Sequence, residues 1–258
     1  SASTLIPLSG CGNKKSVSSS SDSGPVPDDK MTYRENPRNG DKVSLLGYGC
    51  MRLPKIARAD STEDGDDLDQ EAINASVNYA IAHGINYFDT SPAYCKGGSE
   101  RATGLALSKH SRNKFYIATK LSNFRDSSKE GSIEMYNNSF KALQVEYIDY
   151  YLLHALGLGG VDAFKARYVD NGILEFLMKE REAGRIRNLG WSFHGKIEDF
   201  DYFLSLNDQY KWDFVQIQLN YIDWAYPQGY NTISAKYACE ELEKRNIPVM
   251  IMEPLLGG

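Results

Sequence analysis

The chain has 258 residues, of which 41% are apolar and 24% are charged, the balance of a globular protein with a sizeable core. Its net charge of −5 argues against nucleic-acid binding, and no apolar run approaches the length of about 18 residues that a membrane-spanning helix needs. The cysteines are too far apart for a disulfide scaffold or a zinc site: Cys11, Cys50, Cys95 and Cys239.

The first 30 residues are predicted to lie outside the folded core. Residues 16–21 are almost all serine, a composition that buries little apolar surface and therefore predicts a flexible tether. Ahead of it, residues 5–11 (LIPLSGC) resemble the lipobox of bacterial lipoproteins, whose cysteine is lipidated after signal cleavage. This predicts that residues 1–30 comprise a signal-peptide remnant with a lipobox and a flexible serine-rich tether. It also predicts a lipid anchor through Cys11 and an exported, periplasmic or membrane-anchored protein. The alternative is a cytoplasmic protein with a disordered N-terminus and an incidental cysteine.

From residue 31 the chain predicts a hairpin and then a repeat of strands and helices. The hairpin covers residues 33–46 and turns at residues 37–40 (PRNG), because Asn-Gly favours the positive φ angles of tight turns. The stretches between the later strands have helical periodicity, as Ile73, Val77 and Ile81 illustrate. Short apolar runs predict seven strands at residues 45–50, 85–89, 115–120, 148–154, 188–192, 214–220 and 249–253.

Apolar strands separated by helices predict a parallel sheet covered on both faces. The doubly wound sheet and the (β/α)8 barrel both fit that pattern. A doubly wound dinucleotide-binding sheet would carry G-x-G-x-x-G after its first strand, whereas residues 47–52 read GYGCMR. We therefore predict an α/β fold, a (β/α)8 TIM barrel with an N-terminal β-hairpin over residues 31–258. Seven of its eight strands are counted, so the chain is expected to be truncated before the eighth.

Polar side chains end three successive predicted strands. Asp89, Lys120 and His154 follow the apolar runs of the second, third and fourth strands, and Tyr94 lies five positions after Asp89. In a barrel these strand ends meet at one mouth, where the chemistry takes place. Charges at that depth are costly unless they are paired or used. A purely structural ion pair between Asp89 and Lys120 is the alternative to a catalytic site.

These four residues suit the delivery of a proton to a carbonyl compound. A tyrosine with a pKa of about 10 is a weak acid at neutral pH, and a neighbouring ammonium favours the phenolate. We therefore expect Lys120 to lower the pKa of Tyr94, Asp89 to orient Lys120, and His154 to hydrogen-bond the substrate oxygen. Reduction of the carbonyl also needs a hydride, which no side chain can donate, so a nicotinamide cofactor must supply it.

The residues around this set resemble the signature of the aldo-keto reductase family. Residues 85–94 (INYFDTSPAY), residues 98–100 (GSE) and Gly104 are similar to its most specific segment. The resemblance implies that Asp89, Tyr94, Lys120 and His154 are catalytic. It implies an NAD(P)H-dependent oxidoreductase that reduces an aldehyde, ketone or sugar carbonyl to the alcohol, or runs in reverse, with the proton coming from Tyr94.

The resemblance also implies a cofactor site for NADPH, with NADH as the alternative. Ser192 and Gln216 match residues that hold the nicotinamide carboxamide. Two family features are replaced here, an aromatic ring by the pair Met252-Glu253 and an asparagine by Phe193. The predicted contacts to the pyrophosphate, made by backbone N–H groups, come from residues 254–258, with Pro254, Leu255 and Gly257 as the candidates.

Other functions and residues stay open at this stage. One alternative is a nicotinamide-binding, redox-sensing module with little turnover, and another is the reductase domain of a longer iron–sulfur oxidoreductase. An iron–sulfur cluster would require a C-terminal extension, because the chain has no cysteine cluster or other metal-ligand pattern. His194 is a candidate for contact with substrate or cofactor, and Trp224 and Tyr226 are candidates for a pocket wall. The expected partner is a small carbonyl compound.

Overall fold

Strands and helices alternate along the chain in the order that the apolar runs predict. The computed structural model describes residues 4–6, 31–56, 67–222, 224–226 and 233–255, with residues 4–6 as backbone only. The strands are β1 Thr4–Ile6, β2 Tyr33–Glu35, β3 Lys42–Ser44, β4 Tyr48–Gly49, β5 Tyr87–Asp89, β6 Tyr116–Leu121, β7 Ile148–Leu156, β8 Ile186–Phe193, β9 Phe214–Gln218 and β10 Val249–Met252.

The helices lie mainly in the connections between the strands. A 3₁₀ helix at Tyr94–Gly97 follows β5, another at Arg112–Lys114 precedes β6, and a π-helix at Lys165–Val169 continues α4. The α-helices are α1 Gln70–Ala82, α2 Ser99–Leu107, α3 Lys129–Leu143, α4 Gly160–Phe164, α5 Ile173–Glu182, α6 Ile197–Ser205, α7 Asn207–Tyr210 and α8 Ala235–Lys244. Among the described residues, no helix combines the length and the apolar character needed to cross a bilayer.

The main sheet consists of seven parallel strands, β4 to β10, in chain order. Strands β2 and β3 form a separate antiparallel hairpin. The predicted α/β barrel-type fold, its hairpin and its seven strands are therefore confirmed. The described ranges add one strand that was not predicted: β1, within the predicted leader, pairs antiparallel with the edge strand β10. Cys11 and the serine-rich stretch lie outside the described residues.

Local sequence signals explain where the helices begin and how they pack. The side chain of Asp69 accepts the Ala72 N–H at 2.9 Å and starts α1, which buries Ile73 and Val77 against the sheet. Gly104 lies where α2 crosses α3, and a Cβ at this position would collide with the Ala142 carbonyl oxygen. The glycine therefore allows the close approach that fixes α2 behind the loop after β5.

The half of the barrel interior on the side of the β2–β3 hairpin, called the lower half, is filled by aromatic and aliphatic side chains. The ring of Tyr150 lies 5.4 Å from Tyr87 and 5.1 Å from Phe214, in edge-on contacts. Its hydroxyl donates to Asp41 at 2.8 Å, in the loop between the hairpin strands. The hairpin thus closes the bottom of the barrel. The inner cluster consists of Val43, Tyr87, Ala118, Tyr150, Leu152, Phe214 and Met250, and a larger cluster lies between the sheet and the helices.

Candidate active site

The predicted site residues occupy the next inward-facing position of each strand above this inner cluster. Side chains two positions apart along a strand point to the same face, so Asp89 follows Tyr87 and Gln216 follows Phe214 on the inside. A cavity of about 120 Å³ opens at this level. Its lining includes one residue from each of six neighbouring strands: Asp89, Lys120, His154, Ser192, Gln216 and Met252. Tyr94, His194 and Glu253 complete its polar lining.

A buried ion pair forms the base of the cavity. The Lys120 ammonium donates to Asp89 Oδ1 at 2.6 Å and to the Thr90 carbonyl at 2.8 Å. The other Asp89 oxygen accepts the Gln216 side-chain amide at 3.1 Å. Burial acts to lower the pKa of Lys120, but the neighbouring Asp89 and Tyr94 outweigh it and the pKa is raised. Lys120 therefore keeps its charge although its side chain is 1% exposed.

Tyr94 approaches the ion pair from the loop after β5. The Lys120 ammonium lies 4.8 Å from the centroid of its ring. Cys95 and Lys96, which follow it, have φ angles of 50° and 51°, a left-handed turn that residues with side chains rarely adopt. Burial raises the pKa of the Tyr94 phenol, while Lys120 acts to lower it. Lys120 therefore acts on Tyr94 in the expected direction, and burial, which the sequence does not show, outweighs it. The phenol consequently stays protonated at neutral pH.

His154 lies opposite Tyr94, with the two rings edge-on at 5.9 Å. Its Nδ1 is 2.5 Å from the Ser122 hydroxyl, which is 2.8 Å from the Ser91 hydroxyl. Burial, followed by the charges of Lys120 and Arg167 and by His194, holds the pKa of His154 well below 6.5. The imidazole is therefore neutral. Sequence reasoning missed both serines, although each lies two residues after a residue it did identify, Asp89 or Lys120.

Two of the predicted cofactor residues have groups that suit a nicotinamide carboxamide. Gln216 uses its amide N–H on Asp89, and its buried Oε1 has no partner among the described residues. An amide N–H from a cofactor would satisfy that oxygen. The Ser192 hydroxyl accepts the Ala155 N–H at 2.8 Å and retains its own proton for donation. The residues present therefore fit the group that the resemblance implies.

The other described candidates differ in whether they reach this cavity. Pro254 is half-buried, Leu255 is 68% exposed, and neither belongs to the cavity lining. Trp224 and Tyr226 are exposed and also lie outside the lining. The described residues do not include Gly257. His194 does reach the cavity, where burial lowers its pKa and Glu253 acts to raise it.

Two positions depart from the family pattern in a way that the structure explains. Phe193 points outward and packs edge-on against Trp191 and Phe200, so it offers no contact inside the barrel. Met252 lies in the cavity where the family has an aromatic ring, and it offers a flexible thioether surface instead of a stacking plane. Within the described ranges, no group of three His, Cys, Asp or Glu side chains is arranged to hold a metal ion.

Comparison with known proteins agrees with this geometry. The sequence profile of the aldo/keto reductase family matches residues 46–258. The chain belongs to the aldo-keto reductase family. It is 37% identical over 123 residues to "Probable aldo-keto reductase 1" of Glycine max, a match that covers 45% of this chain and 34% of that protein. The matches to this and two further curated relatives cover between about a third and half of their lengths.

Solved structures of the family share the fold. The holo form of an aldo-keto reductase from Bacillus halodurans superimposes with a TM-score of 0.67 at 21% identity, covering 89% of this chain and 68% of that one. An aldo-keto reductase from Klebsiella pneumoniae in complex with NADPH gives a TM-score of 0.61 at 21% identity. The superposition covers 81% of this chain and 63% of that one. At this level of identity the likeness establishes the fold alone.

Proposed function

We propose that the protein is an NAD(P)H-dependent carbonyl reductase. It converts an aldehyde, ketone or sugar carbonyl to the alcohol, or runs in reverse, with NADPH as the cofactor and NADH as the alternative. The observation that carries the proposal is the buried Asp89–Lys120 pair beneath Tyr94, with neutral His154 on the same cavity. The family match and the NADPH complex of the Klebsiella pneumoniae relative support it.

Three of the four residues, Tyr94, Lys120 and Asp89, act together in the transfer of one proton to the carbonyl oxygen. A nicotinamide cofactor, when bound, would supply the hydride for the carbonyl carbon, and the carbonyl oxygen would then need a proton. Tyr94 enters the reaction protonated because burial raises its pKa. Lys120 stabilises the phenolate that remains after the transfer, and Asp89 keeps Lys120 charged and in place. A phenol with a raised pKa alone would be a poor acid, so the nearby ammonium is the essential part.

His154 orients and polarises the carbonyl oxygen. The Ser91 hydroxyl accepts the Ala93 N–H at 3.0 Å, which leaves its own proton for Ser122. We assign Ser122 as the donor to Nδ1 of His154, an assignment that places the ring proton on Nε2. A neutral imidazole with Nε2–H donates a hydrogen bond to an oxygen without adding a second cation beside Lys120. Gln216 and Ser192 would hold the cofactor carboxamide as described above.

A redox-sensing module with little turnover is the second candidate. A protein that only binds nicotinamide has no use for a proton donor with a buried ammonium behind it, and burying that ammonium is costly. The intact set of Asp89, Tyr94, Lys120 and His154 therefore favours turnover.

We also propose, from residues 5–11 alone, that Cys11 carries a lipid anchor in an exported form. Fatty-acid labelling in a bacterial host, with Cys11→Ser as the control, tests this. Incorporation of label into the Cys11→Ser protein would contradict the proposal.

The test of the main proposal combines cofactor binding with turnover. NADPH and NADH are titrated by fluorescence, and the reduction of 4-nitrobenzaldehyde is followed by nicotinamide absorbance. We expect Tyr94→Phe to lower the rate by about 10²- to 10⁴-fold, the usual contribution of a general acid, while cofactor affinity changes little. Tyr136→Phe, a buried tyrosine that bonds Glu180 far from the cavity, is the matched control. A wild-type chain that binds neither cofactor, or a fully active Tyr94→Phe variant, would contradict the proposal.

A further inference from the structure

Strand β7 carries a bulge at the residue that follows its catalytic histidine. Leu153 pairs with Trp191 and Leu156 pairs with Phe193, so β7 has His154 and Ala155 where β8 has only Ser192. Ala155 has a φ of +54°, in the left-handed region that alanine rarely adopts. Bulges next to active sites re-aim a side chain at a cost in regular pairing. Here the bulge takes the backbone N–H and C=O of His154 out of the sheet ladder.

Two side chains from the π-helix Lys165–Val169 replace these lost ladder bonds. The Tyr168 hydroxyl accepts the His154 N–H at 3.0 Å, and Arg167 donates to the His154 carbonyl at 3.1 Å. Arg167 also donates to the Tyr168 oxygen at 2.6 Å, and Tyr168 donates to the Leu121 carbonyl at 3.1 Å. Leu121 directly follows Lys120. Arg167 and Tyr168 therefore connect the backbone of His154 to β6, the strand that supplies Lys120.

Arg167 is costly at this place for stability alone. It is 9% exposed, and no carboxylate pairs with it among the described residues. Its Nε donates to the Asn123 side chain at 3.2 Å, and its guanidinium carbon lies 4.2 Å from the Phe124 ring centroid. Burying a guanidinium without a counter-ion costs free energy that an apolar residue of similar volume would not. The ring centroid of Phe124 also lies 5.2 Å from that of His154.

We propose that Arg167 and Tyr168 are positioning residues, which hold the bulge and thereby aim the imidazole of His154 at the substrate oxygen. The inference rests on the proposed function for the identity of that oxygen. It does not rest on it for the position or protonation of His154, which can be measured separately. π-Helical turns are frequently found at functional sites, and this one supplies both side chains from adjacent positions.

Arg167 acts on His154 through its charge as well as its hydrogen bonds. Among the described residues, the titratable groups around His154 are Tyr94 from the loop after β5, Lys120 from β6, Arg167 and Tyr168 from the π-helix and His194 from the loop after β8. Among these, Lys120 and Arg167 carry the positive charge. Removing the Arg167 charge should therefore raise the pKa of the imidazole. Entry of water through a loosened contact would also raise it, because burial is the largest cause of the shift, so a lysine that keeps the charge at this position separates the two effects.

The experiment is nitrogen NMR of the histidine rings in the full chain, with His154 assigned by its absence in His154→Gln. In the wild type we expect a neutral ring with its proton on Nε2. Arg167→Met should raise its pKa by about one unit, the size of shift that a nearby charge gives. Arg167→Lys should keep the charge and leave the pKa near that of the wild type. Lys165→Met, an exposed cation on the same π-helix, is the matched control and should change neither.

Tyr168→Phe separates positioning from charge, because it removes one oxygen and no charge. We expect kcat for the aldehyde to fall by about 10- to 100-fold, as for small misplacements of a catalytic group, with NADPH affinity within about twofold. Tyr136→Phe controls for the loss of one buried hydroxyl bond. An unchanged His154 spectrum in Arg167→Met together with an unchanged kcat in Tyr168→Phe would overturn the inference. If Arg167→Met fails to fold, the His154 spectrum of Tyr168→Phe decides, and a spectrum identical to that of the wild type would overturn the inference. If the wild type shows no turnover, the proposed function fails, and the NMR still decides the positioning.

Discussion

The barrel interior has two layers that differ by a single step along the same strands. In the lower layer Tyr87, Tyr150 and Phe214 pack edge-on, and the hydroxyl of Tyr150 bonds to the hairpin loop. Two positions further on, the upper layer has an ion pair, an amide oxygen on Gln216 with no partner in the described part of the chain, and a bulged strand. The lower layer stabilises the fold through apolar packing, whereas the upper layer holds buried polar groups in fixed positions.

The largest effect that separates the layers is expected from the aromatic core. Phe214→Ala should cost about 3–5 kcal/mol of unfolding free energy, because it leaves a cavity that its buried neighbours cannot fill. Met252→Ala, on the cavity side of β10, should cost clearly less because it borders open space. Urea unfolding of the two variants measures the difference. Equal losses would mean that the upper layer is as tightly packed as the lower one.

The ion pair gives the next largest effect and the sharpest contrast between stability and activity. Lys120→Met leaves Asp89 buried without its counter-ion, and should cost about 3 kcal/mol or more. The double variant Asp89→Leu with Lys120→Met removes both charges and should recover most of that loss. Both variants should be inactive. If the double variant is no more stable than the single one, Asp89 does not need Lys120 for its burial.

The smallest effect is on the pH dependence of stability. Burial, with Lys120, Arg167 and His194, holds the pKa of folded His154 well below 6.5, the ordinary value. The unfolded chain therefore takes up a proton first as the pH falls below about 6.5, and stability present above that pH is lost towards the folded pKa. The loss is at most about 1.4 kcal/mol per pH unit for one group.

Urea unfolding between pH 7.5 and pH 5 checks this direction. His154→Gln should flatten the decline, while His110→Gln, at an exposed site bonded to Asn78, should leave it unchanged. A decline of the same slope in His154→Gln would show that other groups, such as His194, cause it.

Much of this arrangement could be predicted from sequence, for an identifiable reason. Short apolar runs place the seven strands, and the rule that barrel strand ends share one mouth brings Asp89, Lys120 and His154 together. The step of two from Tyr87 to Asp89 and from Phe214 to Gln216 is also visible in the sequence, and marks where the apolar core gives way to the site.

Other features depend on three-dimensional context that a sequence pattern does not contain. The left-handed φ of Ala155 and the π-helix that supplies Arg167 and Tyr168 have no local sequence signal. The direction of the Tyr94 pKa shift is a balance between burial and the Lys120 charge, and only the structure shows how deeply the phenol is buried. The sequence therefore indicates the candidate catalytic residues more completely than the residues that hold them in place.

The most direct test of the central claim follows the hydride itself. NADPH deuterated at the transferable position of the nicotinamide ring is supplied with 4-nitrobenzaldehyde, and the alcohol is analysed by mass spectrometry and NMR. The upper layer, as assigned, predicts deuterium on the former carbonyl carbon, formed far more slowly by Tyr94→Phe. NADPH consumption without deuterium on that carbon, or an equal rate of labelling by Tyr94→Phe, would contradict the assignment of this layer as a carbonyl-reducing site.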